Sequence, residues 1–201
     1  MSNPTFTRDE AEKIGRSRGC QDQIMIIGFR SKDSVYGEND VYTDTAGLLT
    51  PDGYIEWKFN TLPTSWEPGI ACLQPGDWKW KKGLHGLHHL DLEHNAADKA
   101  AYDWLLAHVG QDHPDPAYRL TYWAMREVPP MTVIRNGHPG TETDSADAPF
   151  WIDGHHGGAN TTSSAACQTW PIAIWHTVRE TIYAAMDKYG VHEIIYSLHL
   201  I

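Results

Sequence analysis

Residues 150 to 170 hold the chain's most reactive combination of side chains. Two histidines, His155 and His156, end a short apolar run. Gly157 and Gly158 then release the backbone, and a small hydroxyl-rich stretch leads to Cys167. A cysteine nucleophile needs an imidazole to take its proton, a loop that can bring the two together and amides to hold an oxyanion. The helix signal that follows puts Cys167 just ahead of a helix N-terminus, where the dipole lowers a thiol's pKa. A cysteine among Ala and Ser is also a common small buried hydrophobe, so spacing alone leaves both roles open. Adjacent residues on a strand face opposite ways, so only one of the two histidines can easily meet the thiol. Asp153, two residues before His155, could orient it only with difficulty. Ser163 and Ser164 read either as loop hydrogen-bonders or as contacts to a substrate carbonyl.

A second cluster, His85, His88, His89, Asp91, Glu93 and His94, has the residue types of a zinc site. Zinc takes three or four N/O ligands at about 2.0–2.2 Å. There is no His-Glu-x-x-His, however, and Asp91 and Glu93 on an extended stretch share a face without His94. The expected state is a solvated polar loop, with no metal and no other cofactor.

These residues need a scaffold, and the composition supplies one. The 201 residues are 41% apolar, enough for one domain with a real core. A formal charge of -10 argues against nucleic acid, because no basic face could release counterions. No apolar run approaches the ~18 residues that would cross a bilayer. The N-terminus lacks the basic-then-apolar order of a signal peptide, which suggests synthesis in a cytoplasm without a leader. Cys20, Cys72 and Cys167 form no CxxC pair and no evident disulfide framework, which suits a reducing compartment. Nine Trp and nine Tyr are expected mainly to pack a β-rich core.

Along the chain, Thr7-Arg8-Asp9-Glu10 reads as a capping box opening a short helix that Gly19 ends. Gln23 to Phe29 is a buried strand, 31–53 a loop with short extended pieces, and Tyr54 to Phe59 and Trp78 to Lys81 alternating strands. A helix capped by Asn95 runs to Gly110. Strands at 119–128 and 131–135 are broken by Pro129-Pro130, and 138–147 is polar loop. Phe150 to Gly154 is a short strand carrying the histidines. Thr169 or Trp170 caps a second long helix with Trp175, Val178, Ile182 and Met186 on one face, and Glu193 to Leu200 closes the order. The pattern predicts an α+β fold, one β-dominated domain with two longer helices, after an arm at 1–21.

The segment 155–169 resembles a motif of small bacteriophage-encoded proteins. In these, an isoleucine-rich strand ends in His-x-Gly-Gly and a loop leads to Thr-Ser-Ser-x-Gly-Cys-Gln-Thr. Glu67-Pro-Gly-Ile-Ala71 and Gly83-Leu-His-Gly86 are similar to further stretches of such proteins. The likeness covers roughly residues 22–201, with 90–118 as an insertion. The His-x-Gly…Ser-x-Gly-Cys pattern is also similar to that of L,D-transpeptidases, cysteine enzymes that remodel peptidoglycan. The resemblance implies a transpeptidase-like sheet core at 22–201, Cys167 as nucleophile and His155 as its base. It also implies a backbone carbonyl orienting that base and amides around Ala166 and Cys167 holding the oxyanion. His85, His156, Gly157, Gly158, Ser163, Ser164 and Ala166 are the expected substrate contacts. Ala166 stands where these sequences carry glycine, Thr169 where transpeptidases carry arginine, and the spacing from His155 to Cys167 is shorter than theirs.

The expected function is that of a phage-type, cell-wall-directed cysteine enzyme acting on peptidoglycan stem peptides through a thioacyl intermediate. It would reach the wall after release or as part of the virion. Two other classes stand beside it. One is a zinc amidase or peptidase using His85, His88 or His89 with His155. The other is a non-enzymatic virion or host-interaction protein, which Ala166 would suit.

Overall fold

At the N-terminal helix the capping box forms as its residues require. The Thr7 amide donates to Glu10 Oε2 at 2.8 Å and the Glu10 amide to Thr7 Oγ1 at 3.3 Å. The structure, a computed structural model, describes residues 5–17, 24–34, 42–159 and 161–201. The expected helix stop at Gly19, together with Cys20 and Gln23, lies outside them. In chain order the elements are α1 (Arg8–Ser17), β1 (Met25–Arg30), β2 (Asp44–Thr50), β3 (Gly53–Phe59), β4 (Ala71–Leu73) and β5 (Gly76–His85). There follow α2 (Ala96–Ala107), β6 (Tyr122–Val128), β7 (Thr132–Arg135), β8 (Thr141–Thr143) and β9 (Gly154–His156). β10 (Gln168–Trp170), α3 (Ile172–Lys188) and β11 (Glu193–Leu200) complete the chain.

The fold is α+β and sheet-dominated. Eight strands run β10-β9-β6-β5-β11-β1-β2-β3, and a small sheet runs β4-β7-β8. The large sheet curls until its ends nearly meet. Asn60, just past β3, and Thr169 in β10 exchange backbone hydrogen bonds of 2.8 and 2.9 Å. β1 is apolar from Met25 to Phe29 because both of its faces are covered. Ile24 and Ile26 enter the main core, while Met25, Ile27 and Phe29 pack with Ala11 of α1.

Aromatics fill the main core. Trp80 stacks on Tyr196 with centroids 4.0 Å apart, and Trp170 lies 4.3 Å from Phe59. Trp175, Val178, Ile182 and Met186 bury one face of α3 into the same cluster. Asn95 caps α2 through the amides of Ala97 and Asp98. No helix among the described residues is long and apolar enough to cross a membrane.

Several boundaries differ from expectation. Part of 31–53 is the strand β2, obscured in the sequence by Asp44, Thr45 and Gly47. Gly47 is needed there, because a Cβ would lie 2.2 Å from the Tyr54 ring. β8 interrupts the expected loop at 138–147. The histidine-bearing strand is 154–156 rather than 150–154. Thr169 and Trp170 do not cap α3; they pair in β10 with His155 and His156, and Pro171 holds the cap position.

Candidate active site

The site forms where β5, β6 and β9 end beside the approach to β10. On β5, Trp80 and Leu84 point into the core, so His85, one residue on, faces the other way. Two glycines frame it. At Gly83 a Cβ would sit 2.6 Å from the Cβ of Arg126, so its absence lets Arg126 cross the strand. Gly86 turns the chain with φ +77, and a Cβ there would strike the Leu120 carbonyl at 1.9 Å. On the parallel pair β9–β10, Gln168 lies opposite Gly154 and Thr169 opposite His155, and the Gln168 amide donates to the Asp153 carbonyl at 2.9 Å. That register draws Cys167 alongside the histidine strand.

The result is a convergence of three groups. One ring nitrogen each from His85 and His155 and the sulfur of Cys167 lie within 4.8 Å of one another. Both imidazoles are oriented from behind. His155 Nδ1 donates to the carbonyl of His156 at 2.5 Å, with the Tyr122 hydroxyl 3.3 Å from the same nitrogen. His85 Nδ1 lies 2.8 Å from Asp153 Oδ2. Asp153 is fully buried and saturated: Arg126 donates to Oδ2 at 2.8 Å and the Glu127 amide to Oδ1 at 2.9 Å. In both rings Nε2 is left as the open nitrogen.

Cys167 is partly exposed as a residue, yet its thiol is enclosed and donates to the Trp151 carbonyl at 3.5 Å. Trp151 holds φ 60, a costly conformation for a bulky residue. Its neighbours pin it in place. The Phe150 amide donates to Asp144 Oδ2 at 2.9 Å, the Ile152 amide to Glu127 Oε2, and Trp80 Nε1 to the Ile152 carbonyl at 3.2 Å. The Trp151 ring itself lies 3.9 Å from the Arg126 guanidinium. A cavity of about 250 Å³ opens on Cys167, lined by Arg135, Phe150, Trp151, Ala165 and Ala166 among others. The thiol thus stands between this cavity and the imidazoles.

The electrostatics correct one expectation. α3 begins at Ile172, beyond β10, so Cys167 does not sit at a helix N-terminus. Burial, reinforced by the Asp153 carboxylate, pushes its thiol up to about 12. Burial and neighbouring His85 push His155 down to about 3. At neutral pH the pair is therefore thiol and neutral imidazole. Nearby Glu127, buried against Asp144, is raised to about 8. Burial alone would raise Asp144 too, but hydrogen bonds from Glu127 and the amides of Met131 and Phe150 hold it below the usual range.

The remaining expected residues take varied places. His156 is half-buried against Tyr122, with ring centroids 4.4 Å apart, and its Nδ1 donates to the Gly157 carbonyl at 2.7 Å. Gly157 extends the β9–β10 ladder through its amide to the Trp170 carbonyl at 2.8 Å. A Cβ at Gly158 would lie 2.5 Å from Ser163 Oγ, so the glycine lets the loop fold back on itself. Ser163 is exposed at φ 48 and pairs with Thr161. Ser164 is buried and donates to the Cys167 carbonyl at 2.5 Å, so it fixes the backbone that carries the thiol. Ala166 lies outside the left-handed region, so this backbone does not require glycine there. Among the described residues the amides of Ala166 and Cys167 make no backbone hydrogen bond. His88 and His89 are exposed on a turn of 3-10 helix and do not join the cluster.

Asp153 as the partner of His85, together with Tyr122, Arg126 and Trp151, escaped the sequence reading. The period-two run Tyr122-x-Ala-x-Arg126 was the available signal, since it puts both polar residues on one strand face. Comparison with known proteins found no matching family model, no matching curated protein and no matching solved structure.

Proposed function

We propose that the protein is a cysteine acyl-transfer enzyme acting on a stem-peptide amide of bacterial peptidoglycan. The convergence of Cys167, His155 and His85 within 4.8 Å is the observation that carries this reading. Cys167 attacks the amide carbonyl as its S–H proton passes to Nε2 of His155. The His156 carbonyl at Nδ1 holds that ring in the tautomer that can accept it. The amides of Ala166 and Cys167 receive the oxyanion, each such donor being worth roughly 3 kcal/mol in a transition state. His155 returns the proton to the leaving amine, giving a thioacyl enzyme that water or a second amine resolves. His85, backed by Asp153, presents a second imidazole to the thiol and stabilises charge during proton transfer. The choice of substrate is supported by the resemblance of 155–169 to phage and L,D-transpeptidase motifs. The enzyme would reach the wall after host release or as part of the virion.

The test is a digest of purified muropeptides by wild type, Cys167→Ala, His155→Gln and chelator-treated protein. New or rearranged peptides are expected only from wild type and chelator-treated enzyme. Products from Cys167→Ala would defeat the proposal, and loss of activity in chelator, restored by zinc, would favour a metalloamidase.

A further inference from the structure

The three convergent groups have a second property that does not depend on turnover. Two imidazole nitrogens and a thiol within 4.8 Å of one another form a His₂Cys donor set. Zinc binds such sets at about 2.0–2.1 Å to nitrogen and 2.3 Å to sulfur, so only small side-chain movements are required. What lifts this above a chance cluster is the layer behind it. Metal-bound histidines commonly donate their other ring nitrogen to a carboxylate or a backbone carbonyl, which fixes the tautomer. Both arrangements are present: His85 Nδ1 against the fully buried Asp153, and His155 Nδ1 against the His156 carbonyl. Asp153 is itself held by Arg126 and the Glu127 amide. The contrast is local, since His88 and His89 are exposed and His94 pairs only with exposed Asp91.

We infer that His85, His155 and Cys167 bind a thiophilic divalent cation, Zn²⁺, and that its binding masks the Cys167 thiol. The S–H bond breaks, a Zn–S bond forms and the proton leaves to solvent, so binding is tighter as pH rises. Three protein ligands leave a fourth position for water. In the cysteine-enzyme reading the same ion occupies nucleophile and base together, and acts as a reversible inhibitor.

The experiment titrates metal-stripped protein with Zn²⁺ by calorimetry and with Co²⁺ by absorption, and follows iodoacetamide labelling of Cys167 in parallel. Expected are one ion per chain, a thiolate-to-cobalt charge-transfer band and at least tenfold slower labelling with Zn²⁺ bound. Cys167→Ser should abolish the band, and His85→Ala should weaken affinity at least tenfold, while His89→Ala leaves both unchanged. Asp153→Asn should cost ~10–100-fold in affinity if it remains folded. Binding that survives Cys167→Ser unchanged, or labelling indifferent to Zn²⁺, overturns the inference. The readouts need no substrate, so an inactive protein that binds Zn²⁺ would sink the enzyme reading alone, and an active one that ignores Zn²⁺ would sink this inference alone.

Discussion

Two groups of histidines in this chain differ in almost everything but residue type. His88, His89, Asp91, Glu93 and His94 project from a turn into solvent, and the one ion pair there, His94 with Asp91 at 3.1 Å, is largely exposed. His85 on β5, His155 on β9 and Cys167 just before β10 meet over a buried carboxylate. Donor atoms are present in both. Only the second has its side chains fixed by a surrounding layer, and only there does a low-dielectric setting make each partner matter. A functional site requires this support as well as the right residue types.

The sharpest way to break the comparison is to remove one group from each region. Cys167→Ala should cut kcat/KM on muropeptides by at least ~10⁴-fold, as loss of a covalent nucleophile does. The melting temperature should barely move. His94→Ala should leave the same assay unchanged, and a comparable loss there would dissolve the distinction.

The two aspartates form the next contrast. Asp153→Asn strips the buried partner from Arg126 and should cost ~3–5 kcal/mol in urea unfolding. Asp91→Asn, at an exposed pair, should stay within about 0.5 kcal/mol. Equal costs would mean that Asp153 is solvated in solution.

Stability against pH separates buried from exposed groups more finely. Glu127 keeps its proton to about 8 when folded, whereas an unfolded glutamate ionises near ~4.3. Through that window the folded state binds more protons, so rising pH lowers stability, by at most ~1.4 kcal/mol per unit. His155 works the other way. It stays neutral to about 3 when folded, so stability falls as pH drops below ~6.5, where the unfolded imidazole charges. Between about 6.5 and 8 only Glu127 of the two contributes. Denaturant midpoints there should decline in wild type and flatten in Glu127→Gln; parallel slopes would show that the carboxyl ionises normally.

The smallest effect concerns reactivity in the resting protein. With its thiol raised to about 12, Cys167 should alkylate more slowly at pH 7.5 than in unfolded protein, where a thiol titrates near ~8.5. Its rate should still be climbing at pH 10. A plateau near pH 7 would indicate a thiolate–imidazolium pair.

Local features were readable from the chain alone. The capping box at Thr7 and Glu10, the Asn95 cap, the buried face of α3 and the β-dominated core all follow from spacings that act within a few residues. Residue types and flanking glycines put Cys167 and His155 forward as a candidate pair, and the resemblance to phage and transpeptidase motifs added weight to that pair and brought in His85. β2 escaped because Asp44, Thr45 and Gly47 dilute its apolar pattern, and its pairing decided its state. The electrostatics of Cys167 also escaped: the helix expected next to it starts only after β10, so no dipole lowers the thiol and burial raises it. Asp153 was judged only against its sequence neighbour His155, yet it serves His85 on another strand. The sequence by itself determined which residues could do chemistry and which segments could fold around an aromatic core. Tertiary structure alone decided which histidines meet the thiol, because strand register and the closing of the sheet set distances between residues far apart in the chain.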